Sequence, residues 1–166
     1  MKKIGNLPKE EVALQSLIGK TSFRIFVSKR KDRLIVETIN PYAIYTYKTI
    51  NDCCSESYIE SIDHFSGSII KKVEKIKISS KDGQRGDRFG IIDYWDHRII
   101  TKERSFVIRT KTAYNGYYGG SLELDTVFDG KWEMYLNLLM TDSVELSKYG
   151  VCNLFDQVEK YLFEEV

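Results

Sequence analysis

From Thr21 to Phe128 the chain is one short β-prone run after another, and this succession limits the fold more than any other feature. Residues 22–28 and 33–40 are rich in β-branched and aromatic side chains, which suit a pleated, half-buried surface. The polar stretch Lys29-Arg30-Lys31-Asp32 between them predicts a hairpin connection. Asn40-Pro41 breaks the run, because proline cannot donate to a ladder, and residues 42–49 predict a third strand. Residues 53–62 suggest a short strand or an extended segment. Over 69–79, Ile69, Val73, Ile76 and Ile78 alternate among lysines, the pattern of a solvent-facing strand. Further strands are predicted at 89–100, 104–114 and 117–128. Strands that follow one another this closely pair antiparallel, so the expectation is a meander or strongly curved sheet of six or seven strands.

Helices are expected at the two ends, which makes the predicted class α+β. Pro8, Glu10 and Glu11 suit a first helical turn, Leu14, Leu17 and Ile18 share a face, and Gly19 can end the element, predicting a short helix over 8–18. Trp132, Tyr135, Leu136 and Leu139 have helical spacing, yet Met134, Leu136, Leu138 and Met140 also alternate as a strand. Asp142 and Glu145 form a capping pair for a short helix ending near Gly150. Val151, Leu154, Phe155, Val158 and Leu162 then line one side of an amphipathic C-terminal helix, expected to pack on a face of the sheet. The length of 166 residues suits one domain, residues 1–166, with a β-rich core over 19–127 and a helical, acidic tail over 128–166.

Lys and Arg total 25 and Asp and Glu total 24, and a formal charge of +1 argues against a general nucleic-acid coater. That near-neutrality conceals a segmental pattern of +6 over 1–33, −4 over 34–70, +6 over 71–120 and −7 over 121–166. The acidic tail can neutralise the basic strands, or present an acidic face to a basic partner such as a nucleic-acid-handling enzyme. No apolar run is long enough for a signal peptide or a membrane span. Cys53, Cys54 and Cys152 make an odd count with two adjacent, which reads as free thiols in a reducing cytoplasm.

Three stretches carry residues capable of chemistry. In Asp52-Cys53-Cys54-Ser55-Glu56 the neighbouring carboxylates disfavour a thiolate, and the spacing does not supply a zinc site. Packed thiols are the better account. In Asp93-Tyr94-Trp95-Asp96-His97-Arg98 strand parity sends Asp93 and Asp96 to opposite faces, so an acid–base pair does not converge there. In Tyr114-Asn115-Gly116-Tyr117-Tyr118, Asn-Gly predicts a tight hairpin turn, and three tyrosines cannot all enter one core. Tyr114, Asn115, Tyr117 and Tyr118 are therefore the candidate ligand- or partner-binding residues, with Arg109 and Lys111 as the nearby cations. No residue is a candidate catalyst or metal ligand, and no cofactor is expected.

Gly19-Lys20-Thr21, Asp52-Cys53-Cys54, Tyr58-Ile59-Glu60-Ser61-Ile62 and Asn115-Gly116-Tyr117-Tyr118 together resemble the pattern of a domain family of unknown function, over about residues 19–127. Its members are short proteins from bacteriophages and bacteria. Ser55 stands where the family has glutamate, and Thr49-Ile50-Asn51 replaces polar residues before the Asp-Cys-Cys. The resemblance implies a phage setting and no particular chemistry. The function expected in that setting is non-enzymatic inhibition of a bacterial defence system by binding a host protein effector in the cytoplasm. The alternatives are a sponge that sequesters a nucleotide signal and, behind it, a small hydrolase or nuclease. A homo-oligomer is compatible with each.

Overall fold

The computed structural model describes residues 13–51, 55–82, 90–114, 122–135 and 163–166. Among these residues nine strands form two antiparallel sheets. β1 (Thr21–Ser28), β2 (Arg33–Ile39), β3 (Ala43–Thr49), β8 (Leu122–Phe128) and β9 (Phe163–Glu165) make a five-stranded sheet in the order β8-β3-β2-β1-β9. β4 (Ser55–Ile62), β5 (Ile70–Asp82), β6 (Ile91–Thr101) and β7 (Ser105–Tyr114) make a four-stranded sheet in the order β4-β7-β6-β5.

This corrects the expected α+β class with its single curved sheet: the described residues are essentially all β, in two sheets. Alternating apolar residues show that a strand has a buried face without showing which strand covers it. Here Ile25, Val27, Leu34, Val36, Tyr45 and Tyr47 of the larger sheet share a core with Ile59, Ile70, Ile99 and Ile108 of the smaller. Fully burying one such side chain stabilises the fold by about 1.5–3 kcal/mol, which is why the strands divide to bury one another's apolar faces. β4 accordingly pairs with β7, far along the chain, rather than with β3.

The expected N-terminal helix is reduced, within the described residues, to a 3-10 turn at Leu14–Leu17. Leu14 and Leu17 are buried as its spacing predicts, but Ile18 is already extended and Gly19 (φ +82°) turns the chain into β1. Residues 8–12 lie outside the described residues, as do the Asp142–Glu145 capping pair and the amphipathic helix over 151–162. The next segment, Phe163–Glu165, is a strand paired to Phe26–Ser28 at the edge of the larger sheet. The ambiguous stretch after Gly130 begins with one helical turn over 132–135. Trp132 and Tyr135 are buried by that turn while Met134 stays exposed.

That turn lies on the outer face of the larger sheet. Trp132 stacks on Phe26 at 4.5 Å and 8°, and Phe26, Ile35 and Ile44 join Trp132 and Tyr135 in a second apolar cluster. At its margin Arg24 Nε donates to buried Glu37 Oε2 at 2.6 Å, with the guanidinium 5.3 Å from the Trp132 ring. The larger sheet is thus covered on both faces.

Candidate functional site

The smaller sheet is organised differently. Along β7, Ile108, Thr110 and Thr112 are buried while Val107, Arg109 and Lys111 are half-buried, a clean period of two. Residues directly opposite in neighbouring strands share a face, so the register settles what meets on the side turned away from the core. Lys111 pairs with Tyr58 on β4 and with Tyr94 on β6. Its ammonium lies 5.5 Å from the Tyr58 ring centroid and 5.8 Å from that of Tyr94. Hydrogen bonding to Tyr58 holds the Lys111 pKa above its ordinary value, with Tyr94 adding to the effect.

In the next row, Arg109 grips Asp96 with two hydrogen bonds, Nε to Oδ1 at 2.7 Å and Nη2 to Oδ2 at 3.0 Å. That fork keeps the Arg109 pKa raised. In the row beyond, Glu74 accepts from Lys72 at 2.8 Å and stands 3.9 Å from Arg98. The Lys72 contact lowers the Glu74 pKa. On this face Arg109, Arg98 and Lys72 each meet a carboxylate; among the described residues, no carboxylate lies within ion-pair distance of Lys111.

The opposite face is apolar near Ile99 and Ile108 and becomes polar towards Tyr114. Asp93 accepts from Ser80 Oγ at 2.6 Å, meets Lys77 at 3.3 Å, and is hydrogen-bonded by Tyr114, whose pKa it raises. Lys75 and Lys77 lie 4.4 and 5.2 Å from the Trp95 ring centroid. Ser57 and Thr112 bond at 2.9 Å, and His97 Nε2 lies 3.5 Å from Thr110 Oγ1. Burial first, and Lys75 second, push the His97 pKa down to about 3, so it is a neutral ring near pH 7.

Of the residues expected to bind a ligand, the structure brings Arg109 and Lys111 together on one face. Tyr114 lies at the end of the same strand on the other face. Asn115, Tyr117 and Tyr118 lie outside the described residues, as do Cys53 and Cys54. Asp93 and Asp96 fall on opposite faces, as strand parity predicts. Tyr58 and Tyr94, which flank Lys111, were not singled out from sequence. Parity alone groups Tyr94 with Asp96 and Arg109 with Lys111, but only the β4–β7–β6 register joins the two pairs.

Among the described residues, no group of three or more His, Cys, Asp or Glu side chains is placed to hold a metal ion. No described helix is long and apolar enough to cross a membrane.

Fold and site together define an antiparallel two-sheet β protein with one sheet face given over to paired charges and tyrosines. The chain belongs to a family described as a domain of unknown function, DUF7448, whose model matches residues 15–124. That span takes in β1 through β7 and so contains the whole Tyr58–Lys111–Tyr94 row. Neither the curated proteins nor the solved structures include a match to the chain.

Proposed function

We propose that the chain acts by binding a protein rather than by catalysis, through the outward face of the four-stranded sheet. The observation that carries this reading is the Tyr58–Lys111–Tyr94 row. Tyrosine offers a flat apolar face and a polar tip with little side-chain entropy to lose, which suits interface anchors. Lys111 is a cation held in place by two rings on a face whose other described cations meet carboxylates, so an acidic side chain of a partner completes it. Binding over catalysis is further supported by the carboxylates. Asp96 is tied to Arg109, and Asp93 to Lys77, Ser80 and Tyr114.

The setting proposed with it is a phage-encoded inhibitor in the host cytoplasm, blocking a protein effector of a bacterial defence system. It rests on the sequence pattern rather than on the surface. The acidic tail that suggested a basic partner falls largely outside the described residues, and the described surface favours an acidic contact instead.

The nucleotide-sponge reading has one observation in its favour, the Trp95 ring with Lys75 and Lys77 over it. It ranks second because Asp93 already holds Lys77 and Asp96 already holds Arg109.

The test is affinity capture from bacterial lysate with the full chain, the Tyr58→Ala/Tyr94→Ala pair and Lys111→Glu, alongside nucleotide analysis of the bound material. The expected result is a protein retained in stoichiometric amount by the unaltered chain and lost from both variants. Retention by both variants, or a nucleotide as the only bound species, overturns the reading.

A further inference from the structure

Among the described strands, β5 is the edge of the four-stranded sheet, with β6 as its one neighbour. It runs for 13 residues, over twice the common strand length of about 5–6. Its first residue is occupied: Ile70 N–H donates to the Lys20 carbonyl at 3.0 Å, and its own carbonyl accepts from Gly19 at 2.8 Å. Beyond Ile70, no described strand takes the remaining row of peptide groups. Long edges of this kind, with no described strand beside them, are places where another strand adds on.

The chemistry of the edge selects what can be added. Lys71, Lys72, Lys75 and Lys77 lie along it with Glu74 as the one acid over 70–80. Glu74 is engaged by Lys72 and Arg98 on the outward face, and Lys77 meets Asp93 on the other. A second copy of β5 laid alongside would place lysines against lysines, and like charges opposite one another destabilise a pairing. An acidic strand reverses the sign of every such contact. Ile78, inserted at the register shift between Lys77 and Ser79 and about half exposed, adds an apolar contact for it.

We propose that the β5 edge is a strand-addition site for an extended acidic segment of a protein partner. This deepens the reading that the partner is a protein. The added strand would lengthen the same sheet whose outward face carries the Tyr58–Lys111–Tyr94 row.

The experiment uses the full chain and a synthetic peptide alternating threonine with glutamate, with a threonine–lysine peptide as control. Binding is read by fluorescence anisotropy at low and high salt, and the contact is located by amide hydrogen exchange. The glutamate peptide is expected to bind, to weaken with salt, and to slow exchange over residues 73–80, while the lysine peptide does neither. Lys71→Glu/Lys75→Glu is expected to weaken binding about tenfold, and Lys71→Glu alone, at an exposed position, to weaken it by less. Absence of protection at β5, or equal binding of the two peptides, overturns the proposal. Because the probe needs no natural partner, that failure is distinct from retention of a lysate protein by the Tyr58, Tyr94 and Lys111 variants.

Discussion

The two sheets use the same alternation to different ends. In the five-stranded sheet β2 buries five consecutive residues, Leu34 to Thr38, and β3 buries Ala43 to Tyr47. In the four-stranded sheet β7 alternates half-buried and buried positions from Val107 to Ala113. The difference lies in what covers the second face. Trp132, Tyr135 and Phe128 close the outer side of the larger sheet over Phe26, Ile35 and Ile44. The outer side of the smaller sheet carries Lys111, Arg109, Asp96, Arg98 and Glu74 instead. Among the described residues, one sheet is covered on both faces and acts as scaffold, while the other keeps a charged face for other work.

Acid should separate the two sheets most strongly. His97 is held neutral by burial, with a folded-state pKa of about 3 against an ordinary value of 6.5. Between those values the unfolded chain binds the extra proton, so stability rises with pH and is lost as pH falls from about 6.5 towards 3. Within that window the unfolding constant should grow by up to about tenfold per pH unit from this ring. Thermal unfolding of the native chain and of His97→Gln at a series of pH values checks this. Parallel profiles for the two would break the account.

Next in size are cavities in the shared core. Ile108→Ala and Leu34→Ala remove fully buried side chains from opposite sides of that core, and each should cost about 2–5 kcal/mol in denaturant unfolding. Similar losses would show that both sheets depend on one core. A much smaller loss at Ile108 would mean that the smaller sheet contributes little.

The outer cluster of the larger sheet should respond less. Arg24→Met leaves the buried Glu37 carboxylate without its guanidinium, while Arg24 itself is partly exposed. A loss of about 1–3 kcal/mol is expected, below the full cost of orphaning a buried ion. A neutral result by chemical denaturation would show that the pair does not help to hold the Trp132 turn.

The smallest expected stability change is on the face proposed for binding. Lys111→Met removes a cation at a half-buried surface position and should change stability by less than about 1 kcal/mol while weakening partner capture. A large stability loss there would turn the Tyr58–Lys111–Tyr94 row into a structural device and remove the contrast between the sheets.

Much of the local structure was legible in the chain. β1, β2, β3 and β7 fall within a residue or two of the expected runs, and the lysine-rich run expected as a solvent-facing strand is strand β5, half-buried from Val73 to Ile76. Leu14 and Leu17 are buried as their spacing implied. The α+β class failed because short apolar spacing at Leu14–Leu17 is satisfied by one 3-10 turn, and the described C-terminal segment Phe163–Glu165 pairs as a strand. For the site, sequence supplied Arg109 and Lys111 but grouped them with Tyr114, which local order places nearby and strand parity sends to the other face.

The sequence by itself determined where most strands between Thr21 and Tyr114 run and which of their positions alternate, because those properties repeat with the local period of two. Only the tertiary structure decided that β4 joins β7, that the strands split into two sheets, and that Tyr58 and Tyr94 close around Lys111. Each of those outcomes depends on pairing between residues far apart in the chain. Such pairing is set by which apolar faces can bury one another, and no local pattern records it.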